Sequence, residues 1–122
     1  MSSIQLPDFD EMIALAEEIG SLNTELVLAK EERDFVQGEI TKHVFADKEL
    51  WVGGKQPSME YIKSTFHHVG YDDNTKEQIV ASVKKVAELL GKLEYKQNLF
   101  QVYRDIISVW RANQFNKKES EF

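Results

Sequence analysis

An all-α fold is predicted for this 122-residue chain. It is a long antiparallel helical hairpin, coiled-coil-like, with a short third helix inserted at the turn. Three observations carry the prediction. Met12, Leu15, Ile19, Leu22, Leu26, Ala29, Val36 and Ile40 recur on alternating three- and four-residue steps. Ile79, Val83, Val86, Leu90, Leu93, Phe100, Tyr103, Ile107 and Trp110 repeat that rhythm. Between the two runs lies Leu50-Trp51-Val52-Gly53-Gly54-Lys55-Gln56-Pro57-Ser58, rich in turn formers. A seven-residue apolar period keeps one seam on one side of a long helix, and that seam needs a partner.

The first helix is predicted over residues 9–45. Asp8 is placed to accept from first-turn amides, and Glu11 three residues on completes a capping box. Asp10 and Glu11 suit the positive end of the helix dipole. No proline interrupts the run, which at ~1.5 Å per residue is about 55 Å long. Gly20 and Gly38 lie inside it at roughly 1 kcal/mol each against alanine, so each asks for a packing reason.

Gly-Gly followed by Pro-Ser marks the break. A short helix over 58–68 follows, with Met59, Ile62, Phe66 and Val69 on its apolar side and Gly70 as a left-handed stop. Asn74 reads as the N-cap of the last helix, 75–114, with Glu77 at the capping-box position. Residues 116–122 read as a flexible tail. The whole is expected to be a single elongated helical domain over 1–122.

Helices of similar length joined by a compact insert are expected to fold back antiparallel. Setting Phe45 beside Thr75 makes paired positions sum to about 120. That register puts Gly20 against Phe100 and Gly91 against Ala29, and brings Asn23 and Thr24 to Gln97 and Lys96 as a polar layer. Leu28, Phe35 and Val44 form a second stripe for the short helix to cover. Phe9, Ile13, Val102, Ile106, Val109 and Trp110 then exceed what one seam can bury, and no further segment is left for them. An uncovered apolar patch marks an association surface. A homo-oligomer is expected with these six residues at its interface, a dimer by commonness.

Composition narrows the functional classes. Without cysteine there is no disulfide, thiolate metal site or cysteine nucleophile. The opening Met-Ser-Ser-Ile-Gln-Leu-Pro-Asp has neither the basic nor the apolar region of a secretory signal. No run approaches the ~20 apolar residues of a membrane span. A cytoplasmic protein without membrane contact is expected. The net charge is −6, unevenly spread. Residues 1–35 carry nine acids against Lys30 and Arg33, which is −7. Residues 73–122 carry nine bases against seven acids, which is +2. An acidic first helix and a mildly basic last one complement each other across their flanks.

Glu17-Glu18 and Glu31-Glu32-Arg33-Asp34 resemble the paired-acid motifs of MazG-type nucleotide pyrophosphohydrolases. The resemblance implies an all-helical, magnesium-dependent hydrolase. Glu31 and Asp34 match the second motif of that family, whereas Ser21 stands where the first has its third acid. On one continuous helix Glu17 and Glu31 sit about 21 Å apart. Ligands of one hard cation lie at ~2.0–2.6 Å from it. Sharing an ion therefore demands a break near Ser21, Asn23 and Thr24.

His43 follows Glu39 by four residues and can share its side of the helix. His67 and His68 suit the C-terminal end of the short helix. No Glu-x-x-His pair, Gly-rich phosphate loop or readable catalytic triad occurs, so no cofactor, metal or catalytic residue is assigned. Trp51-Val52-Gly53 after a long helix resembles the Trp-x-Gly bend of the WXG secreted-effector family. That resemblance implies a helical hairpin. By its residue type Trp51 also suits a plug over the end of the hairpin core.

Lys85, Lys92, Lys96, Arg104, Arg111 and Lys118 suggest a flank for nucleic acid, and the last three recur every seven residues. The order of long helix, turn, short helix and long helix is loosely similar to that of a phage recombination mediator that loads recombinase on single strands. The net negative charge opposes phosphate binding unless an oligomer gathers the basic faces. The expected function is thus a non-enzymatic helical scaffold or adaptor, acting through self-association and a protein partner. Accessory nucleic-acid binding is the alternative, and MazG-like hydrolysis the more distant one.

Overall fold

A computed structural model describes residues 5–120, with side chains to Lys117. Three α-helices account for most of it: α1 (Phe9–Ala46), α2 (Met59–Thr65) and α3 (Asp73–Ser120). No strand occurs among the described residues, only an isolated bridge between Val52 and Lys55. No helix among them is long and apolar enough to cross a membrane. The described chain is thus all-α, with the short helix between two long ones.

The helix ends follow from local chemistry. Asp8 accepts from the Asp10 amide at 3.0 Å and starts α1. The Trp51 indole donates to the Val44 carbonyl at 3.0 Å, one of the last four carbonyls of α1, which have no partner within the helix. Trp51 is half-buried, and its neighbour Leu50 is the one that packs against the core cluster. Gly53 and Gly54 both hold positive φ, 64° and 72°, as a two-residue reversal of the Asn-Gly kind demands. Ser58 caps α2 by accepting from the Tyr61 amide. The helix then stops at Thr65 rather than 68, and Gly70, at φ 67°, turns the chain.

The start of α3 differs from expectation. The cap is Asp72, not Asn74. Asp72 Oδ1 accepts from the Thr75 amide at 2.8 Å, and the Thr75 hydroxyl accepts from the amides of Tyr71 and Asp72. This reciprocal exchange leaves Asn74 outside the cap. These hydrogen bonds to Thr75 hold the Asp72 carboxyl below the usual carboxylate range. At the far end, residues 115–120 continue the helix instead of forming the expected tail, and residues 121–122 lie outside the described residues.

The chain packs as two compact units. Unit 1 comprises residues 1–24 and 91–122, and unit 2 comprises residues 25–90. Unit 2 has a three-helix core. Ile40 and Val44 from α1, Ile62 and Phe66 from α2 and its end, and Ile79 from α3 form one cluster, with Val36, Phe45, Leu50 and Tyr71 against it. Fully burying a side chain of this size contributes roughly 1.5–3 kcal/mol. The short helix covers Val44 as expected but not Leu28 or Phe35, which are exposed. At ~100° per residue both lie well over 100° around α1 from Ile40, on the side α2 does not reach.

The buried seam of α3 in unit 2 is Ile79, Ser82, Val86 and Leu89, whereas Val83 and Leu90 are exposed. Ser82 is tolerated there because its hydroxyl donates to the Ile79 carbonyl at 2.9 Å. The antiparallel register is marked by Lys85 beside Glu32 at 3.6 Å, a sum of 117.

Unit 1 contains the first part of α1 and the last part of α3, again antiparallel. Lys96 meets Glu18 at 2.8 Å, a sum of 114. Lys96 is therefore not at the polar layer expected around Asn23 and Thr24. The Thr24 hydroxyl instead donates back to the Gly20 carbonyl at 3.2 Å. Gly20 has no large residue against it: a Cβ there would meet nothing within 4 Å, and the same holds at Gly91 and Gly38. The Phe100 packing expected at Gly20 is not found.

Candidate functional site

Unit 1 has two helices and almost no closed core. Its buried hydrophobic residues are Leu15 and Leu93 alone among the described residues. Met12, Ile19, Leu22, Leu99, Phe100, Tyr103, Ile107 and Trp110, which carry the same rhythm, are only half-buried. In unit 2 the third helix closes the core; among its described residues unit 1 has no such element.

The six residues predicted for an interface all lie in unit 1. Phe9 is 74% exposed, Val102 51% and Ile13 44%. Val109 is exposed as well, whereas Ile106 and Trp110 are half-buried. The structure brings three of them together: Val102, Ile106 and Val109 line one shallow, almost wholly apolar depression on α3, with Asp105 at its edge. Phe9 and Ile13 are one turn apart on α1 and do not line it. Ile13 lies about 160° around the helix from buried Leu15. Trp110 does not line the depression either.

A second depression in unit 1 is lined by Glu11, Ala14, Leu15, Glu18, Lys96, Leu99 and Tyr103. Lys96 meets Glu18 there at 2.8 Å, and Glu11 is a second acid in the lining. The hydrogen bond of Lys96 to the Glu18 carboxylate, then the charge of Glu18, holds the Lys96 ammonium above the usual lysine range.

That pairing dismantles part of the basic flank. Lys96 is matched by Glu18 in unit 1 and Lys85 by Glu32 in unit 2. Lys92, Arg104 and Arg111 are exposed. The side chain of Lys118 lies outside the described residues.

The acidic motifs do not converge. Glu17 is exposed, Asp34 contacts its neighbour Arg33 at 3.5 Å, and α1 runs unbroken through Ser21, Asn23 and Thr24. Among the described residues no group of three or more His, Asp or Glu is placed to hold a metal ion. The histidines also sit differently from expectation. His43 lies 3.6 Å from Asp47 and its ring stacks on Tyr71 at 4.0 Å, while Glu39, one turn back, pairs with Lys42.

His67 is buried rather than on the surface, with Nε2 2.7 Å from the Thr41 hydroxyl. That hydroxyl donates to the Gln37 carbonyl at 3.0 Å. Its one proton is thereby committed, so His67 Nε2–H is the donor to Thr41. Burial, then the charges of Lys63 and His68, lower the His67 pKa. The sequence signal for this contact was faint: a histidine four residues after Lys63 at the end of a short helix.

No family model, curated protein or solved structure matches this chain.

Proposed function

We propose that this chain is a non-enzymatic helical scaffold or adaptor of the cytoplasm that works by pairing with itself and by presenting helix faces to a protein partner. One observation carries the reading: a unit of two helices that buries only Leu15 and Leu93 among its described residues. A helix pair that leaves its apolar seam half-buried gains by burying it against a further surface such as a second copy. The exposed Val102 and Val109 beside half-buried Ile106 supply an apolar surface for that purpose.

The test is the mass in solution of the wild-type chain and of the Ile106→Glu and Val109→Glu variants. The wild type is expected at twice 14.1 kDa and the variants at 14.1 kDa. Helix content by circular dichroism guards against a variant that simply unfolds. An unchanged particle mass in both folded variants refutes the reading.

Accessory nucleic-acid binding is the second reading, favoured by exposed Arg104 and Arg111, one heptad apart on α3. A salt-titrated single-strand binding assay decides it, and no binding at low salt removes it.

A further inference from the structure

The core of unit 2 is closed by its shortest helix. α2 has seven residues and reaches that core through Ile62 and, just past its end, Phe66. A hydrogen bond of 2.7 Å between His67 and Thr41 then ties the segment to α1. Segments held by so few buried groups sit at the low end of local stability and open before the rest of a domain.

The surroundings of that tie disfavour a positive charge. Thr41 has committed its proton to the Gln37 carbonyl, so His67 donates through Nε2–H and its Nδ1 carries no proton. A further proton can only enter at Nδ1, and it would charge a buried ring. On the segment itself Lys63 and His68 oppose that charge, and Glu60 is exposed. From α1 the ring meets Thr41, bonded in turn to Gln37, and neither residue titrates. Asp34, one turn before Gln37, contacts Arg33. The charged residues in the first turns of α3 are Asp73, Lys76, Glu77 and Lys84, all exposed, and Lys84 lines a depression with His68. No carboxylate is hydrogen-bonded to or paired with the His67 ring among the described residues.

Protonation breaks no contact, since Nε2–H is already the donor to Thr41. Its cost is an unpaired charge inside the fold. An opened segment escapes that cost because its histidine is in water.

We infer that residues 59–69 form an acid-released flap, which opens from α1 and α3 increasingly as pH falls below neutrality while the two long helices stay paired. Opening uncovers Ile40, Val44 and Ile79, the apolar side chains that the flap now closes over. The inference is independent of the self-association proposed above, whose surface lies in unit 1.

The experiment is hydrogen exchange on the full chain at pH 7, 6 and 5, at one protein concentration and corrected for intrinsic exchange rates. The amides of Ile62, Phe66 and His67 report on the flap, because they donate to carbonyls of Ser58 and Ile62. Their opening is expected to rise by up to about tenfold per pH unit below 6.5, the limit for uptake of one proton. Amides within α1 and α3 are expected to change less. His67→Gln keeps a neutral N–H toward Thr41 and should abolish the rise. Lys63→Glu sets a carboxylate one turn from the ring and should reduce it, whereas His68→Gln should leave most of it.

A rise that is absent in the wild type, shared equally by α1 and α3, or retained by folded His67→Gln overturns the inference. Should His67→Gln lose its helical circular dichroism, Lys63→Glu decides, and an undiminished rise there overturns it as well.

Discussion

Gly70→Ala offers a test of how the turn into α3 is built. Gly70 sits at φ 67°, where an L side chain costs roughly 1–2 kcal/mol. Steric crowding comes on top of that. A Cβ at this position would overlap Thr75 Oγ1 and come within 2.9 Å of both Thr75 Cβ and the Lys76 amide nitrogen. The Thr75 hydroxyl is no flexible tip that can swing away. It accepts from the amides of Tyr71 and Asp72 and donates to the Asp72 carbonyl at 3.1 Å. Making room costs the N-cap of α3, about 1 kcal/mol. The expected total is about 2–3 kcal/mol, the strain and the lost cap together.

Gly54→Ala is the matched control. Its φ is 72°, yet a Cβ there meets nothing within 4 Å, so strain alone remains, about 1–2 kcal/mol. The assay is urea unfolding followed by helical circular dichroism, at one protein concentration because oligomerisation shifts apparent stability. Equal losses in the two variants would refute the claim that Thr75 blocks the site and reduce Gly70 to an ordinary left-handed glycine.

Three more outcomes are expected in the same assay. Gly38→Ala should stabilise by about 1 kcal/mol, since the position is mid-helix in open space; a loss would reveal a partner at that face. Trp51→Phe removes the indole donor to the Val44 carbonyl and should cost about 1 kcal/mol or somewhat more, as the carbonyl of a buried residue loses its partner; no change would mean that water replaces the indole. Because the His67 pKa is lowered from 6.5 in the folded chain, its contribution is fully present above pH 6.5. It is lost as pH falls below that value, where the unfolded chain takes up the proton first. His67→Gln, which keeps an N–H donor toward Thr41, should show a shallower stability loss between pH 7 and 5. Identical pH slopes in the two proteins would exclude His67 as a source.

Much of the fold was legible in the sequence because a seven-residue rhythm constrains a long helix strongly. All eight residues of the first run are buried or half-buried. The second run was misread by one position at two places, and the reason is chemical. Apolar pattern favours Val83 and Leu90, yet the buried seam passes through Ser82 and Leu89. A serine can enter a core when its hydroxyl finds a carbonyl one turn back, and hydropathy does not register that bond.

Capping was misread for a related reason. Asn74 and Asp72 are both good N-cap residues. The choice went to Asp72 because Thr75, three residues on, returns hydrogen bonds to the preceding amides. The burial of His67 against Thr41 joins residues 26 positions apart, a distance at which no local pattern speaks.

The candidate site was legible in part, and its limit follows from what a heptad encodes. An apolar seam states that a helix needs a neighbour; it does not say how many neighbours exist. Along α1 the rhythm is the same on either side of residue 24, yet its outcome differs. In unit 2 the seven residues of α2 add Ile62 to the cluster and let Ile40 and Val44 close to 2% and 0% exposure. In unit 1 no described residue takes that role, and Ile19 and Leu22, on the same seam, stay half-buried. Equal sequence signals thus produce a closed core where a third helix is present and an open one where it is not. Phe9, Val102, Val109 and Phe115 stay exposed there.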